Sequence, residues 1–196
     1  MIITRLEELE KGKVKVYIDE EYHFLLYHKD IKIHHLELNE AISDITYKDI
    51  LTNTVIRRAK QKAVAILKFM DRTEHELATK LKLAGYTDNV IITITEYVKD
   101  YHYIDDVRYA VDYIRFKKDN KSKRQLHTDL MLKGITKEII ENAFYEEYKD
   151  EDNAIQKAIA KKNKKVGDLD KEEKLKLSAY LFRKGYQIDL IKKYLH

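Results

Sequence analysis

The residues able to do chemistry in this 196-residue chain are eight histidines, one pair of adjacent aspartates and several clusters of lysine and arginine. His34 and His35 are neighbours, so on a helix or a strand they face different sides and do not form a metal pair. No His-Glu-x-x-His, phosphate-binding glycine loop or G-x-S-x-G elbow accompanies any histidine or serine. The chain has no cysteine, which removes thiolate zinc sites, thiol nucleophiles and a disulfide framework, and suits a reducing cytosol. Asp105-Asp106 has the form of a paired acid and base, but it stands where a helix opens. Aspartates there accept backbone N–H groups and suit the helix dipole. These residues give no support to an enzyme, a metal site or a bound cofactor. The expectation is a non-enzymatic binding protein.

The cations are more informative. Lys117-Lys118-Asp119-Asn120-Lys121-Ser122-Lys123-Arg124 carries five positive charges against one negative. Residues 157 to 165 carry five lysines, among them Lys161, Lys162, Lys164 and Lys165, with no carboxylate. Arg57, Arg58, Lys60 and Lys62 form a third cluster, followed by Arg72. Residues 1–50 hold 7 Lys/Arg and 11 Asp/Glu, a net of −4, and the rest holds 31 and 23, a net of +8. Positive segments recurring in a basic region point to a negatively charged partner, either a phosphate backbone or an acidic protein surface. The plainer reading of any one segment is a solvated linker.

A repeated stretch must position these cations. Leu77-x3-Leu81-x3-Gly85, Leu126-x3-Leu130-x3-Gly134 and Leu177-x3-Leu181-x3-Gly185 share one pattern, with glycines 49 and 51 residues apart. Leucines four apart share a helix face. The glycine is a left-handed helix stop, and the apolar residue after it folds back as a clasp. Thr73-Glu-His-Glu76 and Ser122-Lys-Arg-Gln125 are capping boxes just before the key leucines, and Asp170 to Glu173 is a looser one that starts earlier. Apolar periodicity before and after each stretch completes three helices per unit. A period near 50 with one such unit per repeat predicts a linear array. With no proline and five glycines, long helices are rarely interrupted.

The N-terminal part reads differently. Residues 2–9, 13–18 and 22–27 are strand candidates, the second with strict alternation, and predict a small antiparallel sheet that must pack on helices. Helices are expected from Leu36 to Ile42 and from Tyr47 to Ile56. The fold expected is mainly α: a tandem array of three three-helix repeats (57–102, 103–149, 150–196) behind a β-containing extension (1–56). The tyrosines include candidate stacking platforms, although Tyr86, Tyr97, Tyr109 and Tyr186 fall at apolar positions and read as core. No apolar run reaches the length needed to cross a bilayer, and no signal-peptide pattern opens the chain.

Three signatures together resemble the bacterial RecX family of RecA regulators. They are Arg72-Thr-Glu-x-Glu-Leu77 with Leu81 and Gly85-Tyr86, then Tyr103-Ile-Asp105-Asp106-x-Arg108-Tyr-Ala110, then Arg124-Gln-Leu126-x3-Leu130-x-x-Lys-Gly134-Ile135. The resemblance covers about residues 57–196, and the strand-containing N-terminus is similar to the extension of the Gram-positive type. Asp119-Asn120 departs from the glycine common in that family's second basic connection, and the third unit is less regular. The resemblance implies a cytoplasmic, monomeric modulator of homologous recombination, DNA repair and the SOS response. It would bind in the groove of the RecA–DNA filament and restrain recombination and ATP hydrolysis. DNA, single- or double-stranded, would be a weak secondary ligand. Charge and repeat position assign contact to Arg57, Arg58, Arg72, Lys117, Lys118, Lys121, Lys123, Arg124, Lys161, Lys162, Lys164 and Lys165. The second reading is a helical-repeat DNA binder that acts without the recombinase.

Overall fold

The structure is a computed structural model in which residues 1–162 and 166–195 are described. It is mainly helical with one small sheet, and divides into two compact units, Met1–Ile104 and Asp105–His196. No helix among the described residues is long and apolar enough to cross a membrane.

The first unit opens with strands β1 (Ile3–Leu9), β2 (Lys13–Ile18) and β3 (Glu21–Tyr27), paired antiparallel in that order. Alternation along β2 buries Val14, Val16 and Ile18 and leaves Lys13, Lys15 and Tyr17 on the other face. The β2–β3 turn places Asp19 and Glu20 at φ 48 and 71, as a two-residue turn between right-twisted strands requires. Two backbone N–H groups bonded to nearby side chains hold it: Ile2 N–H to Asp19 Oδ1 at 2.8 Å and Glu20 N–H to Thr4 Oγ1 at 2.9 Å.

The expected helix from Leu36 to Ile42 does not form. The helix lies earlier, as α1 (His28–Ile33). Residues 36–42 instead run beside β1, with Ile3 N–H donating to Glu40 O and Ile42 N–H to Met1 O, both at 2.9 Å. His35 and Asn39 at φ 48 and 65 break the helical path. Leu36 and Ile42 are still buried, but from an extended segment rather than a helix face. The expected Tyr47–Ile56 helix is part of a longer rod. It begins at α2 (Asp44–Asp49), capped by Ser43 Oγ on Thr46 N–H. A π-helical turn (Ile50–Ile56) carries it, with helical backbone at both junctions, into α3 (Arg57–Phe69). Helices α4 (Glu74–Leu83) and α5 (Asp88–Asp100) complete the unit, and the sheet shares one core with them.

The second unit holds two triplets. α6 (Asp106–Lys117), α7 (Lys123–Leu132) and α8 (Lys137–Glu147) enclose one core; α9 (Asp152–Ala160), α10 (Lys171–Arg183) and α11 (Ile188–Leu195) enclose another. Asp170 is the N-cap of α10, in a capping box with Glu173. α10 is therefore three residues longer than α4 or α7, which accounts for the early start of its capping sequence.

The three stops share one hydrogen-bond pattern. Gly85, Gly134 and Gly185 have φ 93, 80 and 92. In each, the glycine N–H reaches back three residues and the next residue's N–H reaches back five, to Leu81, Leu130 and Leu181. What differs is what the stop meets. In the first unit Tyr22 Oη donates to the Gly85 carbonyl and Leu25 lies against the glycine. In the second unit Ser122 Oγ donates to the Lys184 carbonyl at 2.6 Å, and Arg124 lies against Gly185. A Cβ at Gly185 would sit 2.9 Å from Ser122 Oγ and 3.0 Å from Arg124 Cβ.

Two outcomes follow. Gly185→Val adds left-handed strain to that collision and is expected to cost more than about 2 kcal/mol in urea unfolding, against about 0.5 kcal/mol for an ordinary surface change. The second concerns Asp30, which is 4% exposed and takes two bonds from Arg58, at 2.5 and 2.8 Å. Burial alone would raise its carboxyl pKa; the Arg58 bonds and the Tyr27 N–H outweigh that and hold it below the usual range. The pair therefore stabilises the fold fully above about pH 4, and the contribution is lost as pH falls through the lowered folded value. The stability gap between wild type and Asp30→Asn should be constant from about pH 7 to 5 and narrow below about pH 4.

Candidate filament-binding connections

The α6–α7 connection and its flanks carry five cations against one anion in eight residues, and the second unit's two triplets meet there. Its last residue, Ser122, is fully buried: it caps α7 by accepting the Gln125 N–H, and its hydroxyl donates to Lys184 O. The Lys123 N–H donates to Glu151 Oε1 at 2.5 Å, and Asn153 reaches Asp119 at 3.3 Å. The connection is thus the joint between the two triplets as well as a charged segment.

That placement divides its cations. Lys118 Nζ donates to the Glu147 carbonyl at 2.9 Å and lies 3.4 Å from its carboxylate, which Arg115 also holds at 2.7 Å. Hydrogen bonds from Arg115, more than the opposing burial, keep the Glu147 carboxyl below its ordinary pKa. Lys121 Nζ bonds Asp129 at 2.5 Å and Tyr113 Oη at 3.2 Å, and the Asp129 bond leads the rise in its pKa. These two lysines face inward to acids. Lys117, Lys123 and Arg124 are exposed, with no ion pair among the described residues; Lys123 Nζ lies 5.1 Å from the Phe144 ring.

The other assigned cations divide similarly. Arg58 is committed to Asp30. Arg72 is mostly buried beside Glu76 at 4.0 Å, and its Nε has no partner among the described atoms. Arg57 is exposed at the start of α3. Lys161 and Lys162 are exposed after α9, Lys162 Nζ 4.6 Å from the Tyr180 ring. Lys164 and Lys165 lie outside the described residues. Among the structural motif residues, Leu77, Leu81, Leu126, Leu130, Leu177 and Leu181 are buried. Asp105 caps α6 by accepting the Arg108 N–H at 2.9 Å, Asp106 sits in the first turn, and Arg108 is exposed.

Sequence reasoning passed over two features. Phe69 and Phe116 are exposed at 83% and 72%, each six residues after a fully buried alanine, Ala63 and Ala110. That shared spacing from the buried alanine was visible in the sequence. The second feature is a run of rings at the end of α5. Tyr97, Tyr101 and Tyr103 follow one another at 4.8 and 6.3 Å, with Lys60 Nζ 3.9 Å over Tyr97. Tyr97 packs against the first unit's core, as its apolar position predicts, and being half-buried it also lines an open groove of about 370 Å³ with Lys60 and Lys68.

The division of charge has a measurable consequence. Lys121→Glu puts like charges together inside the α6–α7 joint and is expected to cost about 1–2 kcal/mol in urea unfolding. Lys117→Glu should stay within about 0.5 kcal/mol of wild type. Equal losses would contradict the division.

A profile of the first three-helix domain of RecX matches residues 59–96, and one of the third matches residues 150–195. The chain is 31% identical to "Regulatory protein RecX" of Caldanaerobacter subterraneus subsp. tengcongensis over 100% of this chain and 99% of that one. It is 31% identical to the protein of that name from Clostridium acetobutylicum, over 94% and 90%. A crystal structure titled regulatory protein RecX superposes with a TM-score of 0.63 at 20% identity, covering 99% of this chain and 98% of the other. RecX from Lactobacillus salivarius superposes with 0.60 at 27% identity, covering 71% and 96%. Identity of this extent along the whole length, on a shared fold, places the chain in the RecX family of regulatory proteins.

Proposed function

We propose that the chain regulates a RecA-type recombinase by binding the RecA–DNA filament in its groove, restraining recombination and ATP hydrolysis without bond chemistry of its own. The observation that carries the reading is the set Lys117, Lys123 and Arg124: three exposed cations, free of ion pairs among the described residues, at a packed joint between triplets. Charges on a joint of this kind are held in place by its packing, so they cost less to order on binding than charges on a free linker. Family membership supplies the regulatory class. Arg57, Lys161 and Lys162 would extend the contact, whereas Arg58, Lys118 and Lys121 would support it from within. The parts that serve this role are the extension at 1–56 and three repeats at 57–102, 103–149 and 150–196. The protein would work as a monomer in the cytoplasm.

A second reading, DNA binding independent of the recombinase, is favoured by one observation. Tyr97, Tyr101 and Tyr103 with Lys60 form a surface on which single-stranded bases could stack. The two readings separate in co-sedimentation at physiological salt. The first expects the chain to pellet with preassembled recombinase filament and to leave naked single-stranded DNA largely unbound. It also expects Lys117→Glu/Lys123→Glu/Arg124→Glu to lower filament binding at least tenfold with helicity unchanged. Tight binding to bare DNA with no effect on the recombinase would favour the second.

A further inference from the structure

In the first unit a cleft of about 460 Å³ opens between the sheet, the rod of α3 and the stop after α4, at some remove in sequence from the α6–α7 connection. Each wall is fixed by the fold. Lys13 and Tyr27 are cross-strand partners at one end of β2 and β3. Arg58 and Lys62 stand four apart on α3 and so share a face. Tyr86 is the clasp residue after Gly85, whose carbonyl is tied to β3 by Tyr22. The equivalent clasps in the other two repeats, Ile135 and Tyr186, are almost fully buried, whereas Tyr86 is only half-buried and turns its ring to the cleft.

The chemistry of the lining is one-sided. Lys13, Arg58 and Lys62 line the cleft, and none of the lining residues is acidic. Of these three cations only Arg58 is paired, with Asp30, and no ion pair among the described residues engages Lys13 or Lys62. Leu25, Val55 and Ala84 give the lining its aliphatic part, and the phenols of Tyr27 and Tyr86 line it too. The Asp30 bonds take two of the five guanidinium N–H groups of Arg58 and lock its plane, which lies 5.1 Å from the Tyr27 ring. A flat cation beside a ring offers a stacking surface, and the lysines at the rim offer charge. An aliphatic and aromatic lining and a few convergent polar groups, in a volume of several hundred Å³, are the usual properties of a small-molecule site.

We propose that this cleft binds a small organic anion with a planar body and a phosphate group, of the size of a nucleoside monophosphate. The planar body lies against the aliphatic lining between Tyr27 and Tyr86, and the phosphate meets Lys13 and Lys62. The lining cations are confined to this one cleft of about 460 Å³, which favours a small molecule over an extended acidic chain needing cations beyond it. The proposal is separable from the filament reading: its phosphate contacts, Lys13 and Lys62, are not among that reading's cations, and only Arg58, paired with Asp30, is common to both.

The test is a titration of the isotopically labelled full chain with adenosine monophosphate, followed by amide NMR shifts, with adenosine as the uncharged control. The expected result is saturable shifts centred on Lys13, Tyr27, Lys62 and Tyr86, with adenosine at least tenfold weaker. Lys62→Glu and Lys13→Glu, each first checked for a wild-type circular dichroism spectrum, should weaken the nucleotide at least tenfold. Either lysine variant that is not folded would be replaced by its Gln counterpart, with the same expectation. No shifts at millimolar nucleotide, equal affinity for adenosine, or affinity unchanged in folded variants of both lysines would overturn the proposal.

Discussion

The structure depends on how a helix ends. A helix leaves its last carbonyls without partners, and a glycine stop turns them outward at the end of the rod. Here a neighbouring element answers them. Ser122 Oγ donates to Lys184 O in the second unit, and Tyr22 Oη donates to Gly85 O in the first. The two donors belong to unlike elements, one a helix N-cap and one a strand. In these two stops, therefore, the exposed carbonyl accepts a hydroxyl from the element that packs on it. Burial on this contact leads the rise of the Tyr22 phenol to about 12, so it stays a donor at any ordinary pH.

This constraint explains where the cations sit. Ser122 ends the basic connection, so burying Ser122 against Lys184 draws the connection into the joint between two triplets. Lys118 and Lys121 then find acids on α8 and α7, and Lys117, Lys123 and Arg124 are left outside. A charge count on the sequence treats all five alike. Folding divides them into cations that hold the joint and cations that face outward.

Much of this was legible in the sequence, for local reasons. The three Leu-x3-Leu-x3-Gly stretches, the capping boxes at Thr73 and Ser122, and the alternation in β2 all depend on residues a few positions apart. The rest was not legible because its partners are distant. Lys118 meets Glu147 across 29 residues and Arg58 meets Asp30 across 28, and no spacing rule relates them. Residues 36–42 differ for another reason: Leu36 and Ile42 are six apart, a spacing that shares no helix face but suits one face of an extended segment, and pairing beside β1 decided the outcome. Tyr97 sat at an apolar position of its helix, which said nothing of Tyr101 and Tyr103 beyond the helix end.

The central claim is that the α6–α7 connection is both a packed joint and the face offered to a filament. Hydrogen exchange of the chain, alone and bound to assembled recombinase filament, tests it most directly. The account predicts new protection concentrated at residues 115–125 on binding, with β1 to β3 unchanged. Protection confined to other segments, while the α6–α7 connection exchanges as it does in the free chain, would contradict it.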